Sequence, residues 1–354
     1  MLKNMIFIVL FIIFANLTCF AKQPNDSKSE GNKTEYIILP FGYYNPATSF
    51  GFGVYSLFLF KENLNKDRSK LRTEISYTLN EQIIFRYKSL FFLQNSKLAI
   101  KSNVMKFISS YYGLTNSSDS DKESFSYLST DFFFDYNRKY YKDFSYSLLY
   151  DLDMIEITKF VDNGMLHNDG FSEKGIVFNH SIGLGLNYEN ITKKFYRNGI
   201  AIDLQYLGSS NFLGSDNNFS VLSTDVKYFV SHKQSSINLQ FLTRFSYDNV
   251  PFTKLSTLGG TYNLRGYPDK RFTDHNMMLF QSEYDFRIYQ KIAGSIYYSF
   301  GDVFDPFSDL KFNKIKQGYG VGLLYDLLGT AIRFDIATSP EKEIQIIATG
   351  NRAF

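Results

Sequence analysis

The residues with the most chemical character lie in the last third of the chain. Leu258 to Lys270 reads LGGTYNLRGYPDK, and its single arginine is Arg265, within Leu264-Arg265-Gly266-Tyr267. Gly259, Gly260 and Gly266 let the backbone turn sharply, and Pro268 cannot donate to a sheet ladder, so the segment is a loop with one guanidinium fork on it. Such a fork pairs with carboxylates in a directional, two-pronged way. Carboxylates follow in QSEYDFRIY, Gln281 to Tyr289, which carries Glu283 and Asp285. Taken alone, the tetrad reads equally well as a surface turn with a solvated arginine, and the two acids as the lining of a wet interior.

Little else in the sequence has the spacing of a reactive site. The four histidines, His167, His180, His232 and His275, form no pair with metal-ligand spacing, so no metal is expected. The one cysteine, Cys19, lies in the leader, which leaves no disulfide or thiol chemistry downstream. A lipase-type outer face needs His and Ser two residues apart on a strand. His180-Ser181 are adjacent and point to opposite faces. Gly183 and Gly185 fall within a strand and not at a strand-to-helix turn, so no nucleotide site is indicated. A net charge of +3 offers no footprint for nucleic acid. The expectation is a protein that is not an enzyme and has no cofactor.

The elements that carry these residues are strands. Of 354 residues, 37 are Phe, 27 Tyr and none Trp, an aromatic share of 18% that favours strands over helices. Mean hydropathy is -0.21, which excludes a bundle of apolar membrane helices. A transmembrane barrel is compatible with that value, because half of each strand faces a polar interior; a soluble sandwich or propeller shares the alternation. Turn signals and alternation divide the chain from Tyr36 onward into about sixteen strands, each close to the length that crosses a membrane tilted. The long polar connections, near 109–124, 158–175, 209–217, 249–274 and 301–315, alternate with short turns. That segregation fits a bacterial barrel and makes the Arg265 segment its sixth external loop.

Period-two alternation also assigns faces. Gln281, Glu283, Asp285 and Arg287 share one face, Arg333 and Asp335 share one, and Gly318, Gly320 and Gly322 share one. The charged faces must be internal, since a charge facing the bilayer midplane costs about 2–4 kcal/mol. The row of inward glycines leaves space for something to pack against the wall.

Ahead of the strands, residues 1–21 read as a secretory signal peptide, with Lys3, an apolar run Met5 to Leu17 and a small-x-small end at Cys19-Phe20-Ala21. Residues 22–35 are polar and read as a disordered periplasmic tail. Residues 36–354 form the barrel domain.

The order LRGY, QSEYDFRIY, GSIYYSFGDVF (Gly294 to Phe304) and GYGVGLLYDLLGTAIRFDIA (Gly318 to Ala337) resembles the C-terminal barrel of the BamA/TamA outer-membrane assembly-factor superfamily, the bacterial surface antigen family. The likeness is specific over about the last hundred residues. It is weaker at YYNPATSFGFGV (Tyr43 to Val54), which resembles the family's opening strand. It implies an all-β, transmembrane antiparallel barrel whose sixth loop folds inward. The loop motif would be Leu264, Arg265, Gly266 and Tyr267, with Glu283, Asp285 and Ser299 as proposed Arg265 partners. Ser299 stands where the family tends to place Asp. Gly301, Gly320, Gly322, Arg333 and Asp335 would be barrel-wall positions, and the terminal Phe354 an insertion signal. The 22–35 segment is too short for the family's periplasmic POTRA modules, so the chain reads as a barrel-only member of a Gram-negative outer membrane. Its expected surroundings are outer-membrane lipid and lipopolysaccharide. Its candidate partners are other outer-membrane proteins or a separate periplasmic module. Protein or lipid insertion or translocation is the implied role, and a passive pore or surface-exposed structural antigen is the alternative.

Overall fold

The computed structural model describes residues 34–45, 49–60, 68–114, 122–171, 175–192, 196–310, 315–327, 330–341 and 344–349. The signal peptide, most of the 22–35 tail and Phe354 lie outside the described residues. The chain runs through β1 (Glu35–Asn45), β2 (Ser49–Leu59), β3 (Lys70–Thr78), β4 (Ile83–Phe92), β5 (Ser96–Tyr111), β6 (Glu123–Tyr141), β7 (Phe144–Lys159), β8 (Ile176–Ile191) and β9 (Gly199–Ser209). It continues through β10 (Phe219–His232), β11 (Ser235–Asp248), β12 (Ser256–Leu258), β13 (Phe272–Asp274), β14 (Asn276–Tyr289), β15 (Ile292–Phe304), β16 (Lys316–Leu327), β17 (Thr330–Thr338) and β18 (Ile344–Thr349).

All but β12 and β13 belong to one antiparallel sheet of 16 strands, each hydrogen-bonded to its neighbours in chain order. Such a meander needs only local hairpins, and tight turns at 142–143, 233–234 and 290–291 supply them at one end. The connections at the other end, 112–122, 160–175, 210–218, 249–275 and 305–315, are long. Among the described residues no ladder joins β1 to β18, so the sheet keeps two edges. It is strongly curled: the 249–275 connection touches β7 through Lys254 and β17 through Arg265.

The burial pattern is the reverse of a water-soluble protein's. Along β8, Ile182, Leu184 and Leu186 are exposed, while Asn179 and Ser181 are buried. Along β17, Phe334 and Ile336 are exposed and Arg333 and Asp335 buried; β14 and β15 repeat the scheme with Tyr284 and Ile296 out and Glu283, Asp285, Ser295 and Ser299 in. A band of Ile, Leu, Phe and Tyr around a polar interior suits a lipid environment and would be costly in water. No described helix is long and apolar enough to cross a membrane.

Two of the buried apolar clusters lie towards the end with the long connections. Tyr111, Phe125, Tyr127, Ile155 and Leu166 form one cluster, and Phe219, Val221, Val250 and Leu255 another. They form a floor beneath the loops. Glu123 secures part of it by accepting from the backbone N–H groups of Val161 and Leu166, at the start of the one-turn helix Met165–Asn168.

Candidate functional site

Arg265 is fully buried, although it lies in a connection between strands. Its Nη1 donates to Asp335 Oδ2 on β17 at 2.9 Å, and its Nη2 donates to Glu283 Oε2 on β14 at 2.9 Å. Arg333 completes the group: its Nε reaches Asp335 Oδ2 at 2.6 Å and its Nη1 reaches Glu283 Oε1 at 2.8 Å. Two guanidinium groups and two carboxylates therefore balance in charge, with each carboxylate bridging both arginines. Between the two acid-bearing strands stand β15 and β16, and the ring of Tyr297 on β15 lies under Arg265 with 3.5 Å from guanidinium carbon to ring centroid. Ionic hydrogen bonds and a cation–π contact in a buried setting make a rigid, directional anchor.

The loop backbone is shaped to present this arginine. Leu264 has φ 57 and Gly266 φ 108, both left-handed, so the chain turns on either side of Arg265. A side chain at Gly266 would strike the Thr338 carbonyl. The strand behind is cut away to match. A Cβ at Gly318 would strike the Arg265 carbonyl, one at Gly320 the Ile336 carbonyl and the Tyr297 hydroxyl, and one at Gly322 the Asp335 carboxylate. The three inward glycines of β16 are thus the slot for the loop, the tyrosine and the acid. Leu258, Leu264, Tyr267 and Phe272 pack with Met277, Leu279 and Val303 of the wall, which gives the loop its own small core.

The same connection has a second anchor near its start. Lys254 Nζ lies 2.7 Å from Asp151 Oδ2 and 3.9 Å from Asp153 Oδ1, both on β7. Thr253 also hydrogen-bonds Asp153, and Arg244 Nη2 donates to the Lys254 carbonyl at 3.0 Å. Burial works against the charge on Lys254, but Asp153 and Asp151 outweigh it and hold its pKa above the usual lysine value. Phe252 wedges edge-on against Tyr111 and Phe125. One connection is therefore fastened to β5–β7 at its beginning and to β14–β17 at its middle.

A family model, the Omp85 superfamily domain, matches residues 45–346. The chain belongs to the Omp85 superfamily. Solved structures agree with this Omp85 chain in fold. BamA from Haemophilus ducreyi lacking POTRA domains 1–3 aligns with TM-score 0.59 and 12% identity, over 91% of this chain and 70% of that one. CdiB from Escherichia coli aligns with TM-score 0.59 and 10% identity, over 92% and 62% of the two chains. CdiB from Acinetobacter baumannii gives 0.57 and 10%, over 89% and 58%. The chain thus spans less than two thirds of either CdiB. No curated protein matches the sequence.

Within the Omp85 barrel the structure gathers some sequence-marked residues and separates others. Glu283 meets Arg265, and so does Asp335, which the sequence marks only as a wall position. Asp285 and Ser299, both proposed as Arg265 partners, are bonded elsewhere. Asp285, two residues further along β14, accepts from Asn238 at 2.9 Å, and Ser299 bonds Gln281 at 3.3 Å. The physical reason is stagger: Ser299 pairs with Gln281 in the ladder, whereas Tyr297 pairs with Glu283 and takes the place beside the arginine. Gly301 sits opposite Leu279, where a side chain would meet the Met278 carbonyl. Sequence reasoning misses Lys254 altogether. Its partner Asp151 is 103 residues away, and no local pattern announces such a pair.

Proposed function

We propose that this Omp85 barrel sits in a Gram-negative outer membrane and assists the insertion or translocation of protein or lipid, without enzymatic activity. The polar concave face is the barrel lumen, and the 249–275 connection is an external loop folded into it. The observation that carries this reading is the buried set of Arg265, Glu283, Asp335 and Arg333. A pore lined only for passage has no use for a loop bolted across its interior at two places. The sheet adds a second support, because β1 and β18 remain edges among the described residues. Unpaired strand edges offer a template for an incoming strand.

The test uses the purified protein in lipid vesicles. An unfolded outer-membrane barrel protein is added, and its folding is followed by the gel shift of the folded form. Faster folding than in protein-free vesicles is expected. Folding at the protein-free rate, together with steady ion conductance, favours the passive pore.

A further inference from the structure

We propose that Asp274, His275 and Asp305 bind a divalent transition-metal cation such as Zn2+ at the end of the barrel that carries the long connections. Their convergence follows from strand register. The β14–β15 ladder ends with Asn276 opposite Phe304, so the next residues out, His275 and Asp305, become neighbours across the hairpin. Asp274 closes β13, opposite Ser256 of β12, and brings a second carboxylate from the loop side. His275 Nδ1 lies 3.1 Å from Asp305 Oδ2 and 3.3 Å from Asp274 Oδ1. One potential ligand atom from each residue lies within 4.8 Å of the others.

Hydrogen bonding alone serves this arrangement poorly. A ring nitrogen carries at most one hydrogen, yet two carboxylate oxygens approach Nδ1 within bonding distance. Asp274 Oδ2 is buried and has no hydrogen-bond partner, while its Oδ1 already accepts from the His275 backbone N–H at 2.8 Å. A buried carboxylate oxygen without a partner is costly, and a cation held by both Asp274 oxygens would relieve it.

The separations suit a metal. Nitrogen and oxygen donors each about 2.1 Å from a tetrahedral zinc stand about 3.4 Å apart. The two short distances in this cluster, 3.1 and 3.3 Å, come close to that value, and only the Asp274–Asp305 gap needs to close. One imidazole with two carboxylates selects zinc-like ions over Mg2+ and Ca2+, which prefer sites made wholly of oxygen. Asp305 is 47% exposed, which gives an entry path from solvent and room for water as a further ligand. A bound ion would tie the returning end of the Arg265 loop to the β14–β15 hairpin. The sequence conceals the set because Asp305 lies 30 positions further on, just past the end of β15.

The experiment is titration of the purified, tag-free protein in detergent with Zn2+ and, separately, Mg2+, by calorimetry. Folding of every variant is checked by the heat-dependent gel shift of intact barrels. One zinc per chain is expected, with Mg2+ failing to compete. Affinity should fall by more than about tenfold in H275A and in D305N, since even outer-shell partners of metal ligands are worth that much. Zinc should also raise the unfolding temperature of the unaltered protein and leave D305N unmoved. Asp305 is at the surface, so D305N keeps the test open if H275A does not fold. Absence of saturable zinc binding, or equal binding by D305N, overturns the proposal.

Discussion

At the scale of single residues, the account rests on four charges that cannot be removed singly without harm. Truncating Arg265 leaves Glu283 and Asp335 buried with only Arg333 to neutralise them, a loss of about 3–5 kcal/mol by the usual cost of breaking a buried pair. R265A should therefore unfold at much lower urea in lipid or detergent. In a double-mutant cycle of R265A with E283Q, the coupling should be about 1–3 kcal/mol. A coupling near zero would show that the two side chains do not meet. The β16 slot gives a separate check. G322A places a methyl group against the Asp335 carboxylate and should cost about 1–3 kcal/mol by overpacking, whereas alanine at the outward-facing Val321 should change unfolding far less. This level was partly legible in the sequence. Alternation turns Glu283, Asp285, Arg333 and Asp335 inward. Which acids meet Arg265 depends on stagger across β14–β17, and a single chain of letters does not contain that.

At the scale of elements, the 249–275 connection is a strap with two fastenings. Its middle is held by Arg265 and its start by Lys254 on β7. K254A leaves Asp151 and Asp153 buried without their cation, and should loosen the first half of the strap while the Arg265 set stays closed. The measurement is limited proteolysis of the folded protein: cleavage should appear between Asn249 and Leu255 in K254A and remain slow at 258–270. Equal protection in K254A and the unaltered chain would show that the second fastening is not needed. The strands themselves were readable because alternation repeats over lengths that local patterns capture. The small hairpin of β12 and β13 was not: its strands are three residues each, too short for alternation to register.

At the scale of the whole molecule, sixteen strands wrap a polar interior while apolar side chains face out. The family and the membrane setting were legible in advance, since short turns and long loops segregate to opposite ends and the C-terminal motifs follow in order. The family resemblance implied an inward sixth loop and an Arg265–Glu283 contact, but not the ties of Lys254 to Asp151 and of Arg265 to Asp335, which join residues 103 and 70 positions apart. The central claim is that this strap occupies the lumen. Single-channel conductance in planar lipid bilayers tests it most directly, comparing the unaltered chain with one lacking Leu258 to Lys270. A small conductance that rises severalfold on deletion is predicted; the same conductance in both, with both folded, would contradict the account.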